Sequence, residues 1–124
     1  MADELPTGTL LVVSQDPDVE EEVRFGAPDG LEVVSVNDAD GANEALLTIT
    51  PRAVIVDLRT GHAGGFGLAK DMSQTVRLAR IPVIVLLERE QDRWLAAQAG
   101  AALVLRKPLN SNELWVAVSS VLAA

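Results

Sequence analysis

The sequence has no cysteine, no tyrosine and one histidine, His62, with only two tryptophans and two phenylalanines. Without cysteine there are no disulfides, thiolate metal sites or thiol nucleophiles. A single histidine rules out centres that need two. Long apolar runs are missing as well. The longest uncharged stretch, Trp94 to Leu105, is 12 residues and includes Gln98 and Gly100, short of the roughly 20 apolar residues that cross a bilayer. The opening Met-Ala-Asp-Glu-Leu-Pro-Thr-Gly carries no basic region and no apolar run before the first strand, so no secretory or transit signal is expected and the expected location is cytoplasmic. Basic residues are few: 10 Lys and Arg stand against 18 Asp and Glu, a net charge of −8. That balance argues against duplex nucleic acid as a partner, because phosphate contacts need a basic face.

What is present suits a soluble fold. Hydrophobic residues make up 48% and charged residues 23% of 124 residues, enough for one domain with a packed core. Neither a repeat nor a Pro/Gly/Ser linker divides the chain, so a single domain over 1–124 is expected, with an ordered core over about 7–122. Charge is uneven along it: residues 1–62 hold 13 acids and 3 bases, residues 63–124 hold 5 acids and 7 bases. One face is therefore expected to be neutral or basic.

Five short, continuous apolar runs alternate with helical stretches. The runs are Thr9 to Val13, Leu31 to Val36, Ala53 to Val56, Pro82 to Leu87 and Ala102 to Leu105. Between them the spacing predicts helices opening at Asp16-Pro17 and stopped by Gly26 and Pro28, then over 41–50, 67–79 and 92–99, and a last one over 110–122. Unbroken rather than alternating apolar strands, separated by helices, indicate an α/β fold, a three-layer (βα)5, doubly wound parallel sheet with right-handed crossovers, for which the flavodoxin-like order 2-1-3-4-5 is the expectation that the resemblance given below implies. Function in such sheets gathers at the carboxyl ends of the strands. In that order Asp57 after strand three and Lys107 after strand five share one crevice. A carboxylate and an ammonium there make either a plain ion pair or a phosphoacceptor with the cation that holds its transferred oxygens.

These residues, taken in order, resemble the response-regulator receiver domain of two-component signalling. The resemblance runs from Thr9 to Leu122. Its carriers are Leu11-Val-Val-Ser-Gln-Asp-Pro-Asp-Val19, Val54-Ile-Val-Asp-Leu58 with Gly65 eight residues after the Asp, Ile81-Pro-Val-Ile-Val-Leu86, Ala99-Gly-Ala101, and Lys107-Pro108 ahead of Glu113-Leu114. The resemblance implies that Asp57 matches the phosphorylated Asp and Lys107 the family's Lys, whose bond to the following Pro is usually cis. Four positions depart from it. Ser14 and Gln15 stand where the family has the acidic pair that holds Mg2+, Leu87 where it has a hydroxyl that binds the phosphoryl group, and Val104 where it has an aromatic switch. Asp16 follows the pair and could swing into the site, but its place before Pro17 favours a cap on the first helix. Losing two of three anionic ligands should weaken a hard ion such as Mg2+ severely, and phosphoryl transfer would then lose its main electrostatic stabiliser.

The expectation is thus an atypical bacterial receiver without enzymatic activity, cofactor or metal, working by protein contact. The alternative is a functional phosphoacceptor of a phosphorelay, labelled on Asp57 with Mg2+. Arg59 could reach the pocket or face solvent, and His62 reads as an exposed loop residue. A dehalogenase-type phosphatase would need a second acid where Arg59 stands, and a flavin site a Ser/Thr-rich loop after strand one. The resemblance places partner contacts on the face of the fourth helix, fifth strand and fifth helix, drawing on Arg93, Trp94, Arg106 and Trp115, types enriched in interface hot spots. Since the sequence stops at Ala124, the partner is expected to be another protein: a sensor kinase, an output protein or a second copy. Neither nucleic acid nor membrane is expected.

Overall fold

A computed structural model describes residues 8–57 and 64–123, with side chains throughout except at 64–66. Its strands are β1 (Gly8–Val13), β2 (Leu31–Val36), β3 (Ala53–Asp57), β4 (Val83–Leu87) and β5 (Leu103–Arg106). Its helices are α1 (Pro17–Gly26), α2 (Ala39–Ala45), α3 (Gly64–Gln74), α4 (Arg93–Gln98) and α5 (Ser111–Ala123), with one 3₁₀ turn, Glu90–Asp92, leading into α4. All paired strands run parallel in the order β2-β1-β3-β4-β5, the order expected from the sequence.

Because successive side chains of a strand point to opposite faces, the apolar runs feed two cores. Leu11, Val13, Val54, Val56, Val83, Val85 and Leu87 face α2, α3 and α4, where they meet Ala42, Leu46, Leu68, Met72 and Ala96. Leu10, Val12, Ala53, Ile55, Ile84 and Leu86 face α1 and α5, where they meet Val19, Val23, Leu114 and Val118. Leu114 and Val118, four residues apart, form the buried stripe of α5.

Helix limits shift where local chemistry competes with periodicity. Asp38 accepts from Gly41 N–H at 2.8 Å, so α2 begins at Ala39, earlier than its apolar face suggests. It ends at Ala45, after which the Leu47 N–H donates to the Glu44 carbonyl and the Thr48 and Ile49 N–H groups donate to the Ala45 carbonyl. Thr75 turns its hydroxyl back onto the Asp71 carbonyl at 2.8 Å, and α3 stops at Gln74 rather than running to Ala79. Arg77 then ties this turn to the Leu46 carbonyl at 2.5 Å, holding the ends of α2 and α3 together. Among the described residues no helix is long and apolar enough to cross a membrane.

Candidate functional site

Three strand ends deliver the site. β3 carries Asp57 at its last position, and four buried residues precede it, which leaves the residue only 4% exposed. The Lys107 N–H donates to the Leu87 carbonyl at 2.7 Å, which fixes the start of the β5–α5 connection against β4, and the Lys107-Pro108 bond is cis. From there the Lys107 Nζ donates to Asp57 Oδ2 at 2.7 Å and to Asp16 Oδ2 at 3.1 Å. The sequence expectation that Asp57 and Lys107 meet is met by this geometry.

Asp16 does more than cap. One carboxylate oxygen accepts from Asp18 N–H at 2.9 Å, as an N-cap should, and the other receives Lys107. Ser14 lies between the two acids: its hydroxyl donates to Asp57 Oδ2 at 3.0 Å and accepts from Asp16 N–H at 3.0 Å. The sequence allowed Asp16 to turn into the site but favoured the cap alone; the structure gives it both roles, with Lys107 as its partner. The available signal was its place three residues beyond the end of β1, in reach of the same crevice. Electrostatics follow from the contacts. The Lys107 bond, and then that of Asp18 N–H, hold the Asp16 carboxyl below its ordinary value. For Lys107, burial works against the charge, yet the bonds to Asp57 and Asp16 outweigh it and the pKa is raised.

The other singled-out positions separate. Gln15 is exposed. Leu87 is fully buried in the core beneath α3 and α4, and Val104 is partly buried against the same core. Arg59 and His62 lie outside the described residues. Beside the Asp16–Lys107 contact a cleft of about 510 Å3 opens between α1 and the segment after Lys107, walled by Asp18, Glu21, Glu22 and Glu88 over Val19 and Leu109. Its wall is therefore strongly acidic. Among the described residues no three His, Asp or Glu side chains converge as a metal-binding group.

The face assigned to partners is only partly assembled. Trp94 is 66% exposed, Arg93 pairs with Glu90, and Arg106 is exposed and close enough to depress Glu90 further, after Arg93. Trp115 corrects the expectation. Its ring turns to the α1 side, where a Cβ on Gly26 would overlap it, and it packs on the core formed with Val19 and Val23. Glycine at the end of α1 allows that close approach, and Trp115 Nε1 is left buried without a hydrogen-bond partner among the described residues. Val116, 64% exposed, is instead the apolar residue that α5 presents to solvent.

The five-stranded parallel sheet in the order 2-1-3-4-5 is matched in solved structures. A response-regulator candidate from Chloroflexus aurantiacus superimposes with a TM-score of 0.85 at 26% identity, covering 96% of this chain and 100% of that one. The chain has the fold of the response-regulator receiver domains. Among curated sequences this receiver is 32% identical over 110 residues to an uncharacterised 14.6 kDa protein of Leptolyngbya boryana, covering 85% of this chain and 82% of that protein. It is 27% identical over 117 residues to the transcriptional regulatory protein GltR of Pseudomonas aeruginosa, of which it spans 48%. No family model matches the sequence.

Proposed function

We propose that this receiver serves two-component signalling by contact with another protein, with its phosphoryl chemistry weakened or lost and no enzymatic activity of its own. The observation that carries the reading is the shared ammonium: Lys107 already matches Asp57 and Asp16, and the Ser14 hydroxyl takes a further contact on the same Asp57 oxygen. Mg2+ requires near-octahedral oxygen ligands at roughly 2.0–2.1 Å. Two carboxylates engaged by lysine, one hydroxyl and an exposed Gln15 do not fit that demand. The acidic cleft wall adds to the argument, since its charges oppose approach of an anionic phosphodonor when no divalent ion screens them. The exposed Arg93, Trp94 and Arg106 supply the contact surface, and the partner is a sensor kinase, an output protein or a second copy in the cytoplasm, not nucleic acid or membrane.

Intact-mass measurement after incubation with acetyl phosphate and Mg2+ tests this. Little or no adduct is expected, together with Mg2+ binding weaker than millimolar by calorimetry. Stoichiometric labelling that Asp57→Asn abolishes would replace it with the phosphoacceptor reading, which the 2.7 Å contact of Lys107 with Asp57 favours. Metal-supported transfer to Asp57 is the chemistry that second reading requires.

A further inference from the structure

Two side-chain partners of Asp57 lead to the same residue. Ser14 takes the Asp57 carboxylate on its hydroxyl hydrogen and the Asp16 N–H on its oxygen, while Lys107 spans Asp57 Oδ2 and Asp16 Oδ2. Asp16 in turn anchors the first turn of α1, through its side chain to Asp18 N–H and through its carbonyl to Val19 N–H at 3.1 Å. On the α4 and β5 side, Leu87 and Val104 are packed in the apolar core and have no polar group that could follow a change of charge at the carboxylate, while Glu88 stands on the wall of the cleft.

We infer that the state of Asp57 is read out at the amino end of α1, through Lys107 and Ser14 acting on Asp16, rather than at α4 and β5. The network has two arrangements. With Asp57 ionised, the ammonium is shared between two carboxylates. With Asp57 neutral, its attraction is to Asp16 alone and the Ser14 hydroxyl loses an anionic acceptor, so the cap of α1 is repositioned. The surface that moves with it is the acidic cleft wall, where Asp18, Glu21 and Glu22 stand on α1. Ser14 and Lys107 are positioning residues in this scheme. The inference does not depend on how far phosphoryl chemistry is lost, because it concerns only the charge on Asp57.

Backbone amide spectra and hydrogen exchange of the full chain test it, comparing wild type with Asp57→Asn. The expected result is shifts greatest at Asp16, Asp18 and Val19, fading by Val23, with Arg93 to Gln98 unmoved. Exchange at the Asp18 amide should change by about fivefold, the size of one ordinary hydrogen bond. In a Ser14→Ala, Lys107→Met background both links are cut, and Asp57→Asn should then leave the α1 amides where they were. If that background does not fold, Ser14→Ala alone must reduce the α1 response to Asp57→Asn. Changes centred on α4 and β5, or an α1 response undiminished by cutting the links, overturn the inference. Labelling by acetyl phosphate leaves it untouched, so its failure is distinguishable from failure of the contact reading.

Discussion

Replacing Lys107 by alanine removes the ammonium 2.7 Å from Asp57 Oδ2 and 3.1 Å from Asp16 Oδ2. The two acids lose unequally. The Asp57 side chain is 5% exposed, so its charge stays desolvated with the bonds that remain, Ser14 among them, whereas Asp16, 35% exposed, is hydrated in place. Deleting one partner of a fully buried pair costs roughly 3–5 kcal/mol and leaving a buried group short of a hydrogen bond about 1–3 kcal/mol. Lys107 is itself 13% exposed and borders the cleft, so water partly replaces it, and about 2–3 kcal/mol is expected, a fall in Tm of roughly 6–15 °C for a domain of this size. Asp57→Asn removes the charge but keeps the shape, and should change stability by less than about 0.5 kcal/mol in either direction or raise it. Starting from Asp57→Asn, removing Lys107 should cost little, so the double variant recovers most of the loss and the cycle reports a coupling of about 2 kcal/mol. Urea and thermal unfolding of the four proteins measure it. Additive effects, or a Lys107→Ala protein as stable as wild type, would refute the claim that the pair neutralises a buried charge.

Stability should also depend on pH at both ends. Lys107 has its pKa raised above the ordinary 10.5, so its contribution is complete below that value and is lost as pH rises through the raised one; Lys107→Ala should flatten this alkaline limb in urea titrations. Asp16 has its pKa lowered from 3.8, so its contribution holds above that value and disappears as pH falls through the lowered one, a loss that Asp16→Asn should remove. At the helix seam, Gly26→Ala would place a methyl 2.6 Å from Trp115 Nε1 and 2.7 Å from Ser111 Oγ; a loss of about 1–3 kcal/mol and a red shift of Trp115 fluorescence in a Trp94→Phe background are expected. Trp94→Ala, at an exposed position, should stay within about 0.5 kcal/mol of wild type while weakening capture of the native partner from lysate, and unchanged capture would remove Trp94 from the contact face.

Sequence alone determined the parts of this receiver that depend on neighbours along the chain. Continuous β-branched runs cannot satisfy a half-exposed sheet, so Leu10 to Val13, Ala53 to Val56 and Val83 to Leu87 had to be strands covered on both faces, and Asp16 before Pro17 had to cap a helix. From alternating strands and helices a parallel sheet followed; its order, which brings Asp57 and Lys107 together, was implied by the receiver resemblance. Tertiary structure alone decided which further groups joined them. The bonds of the site link residues 43, 50 and 91 positions apart, and periodicity, which reports spacings of two to four residues, carries no information on how a loop returns to place Asp16 beside Lys107. The direction of Trp115 was equally out of reach: α5 packs by the same apolar spacing whichever flank its ring takes, and it was Gly26, on a different helix, that opened the α1 side to it.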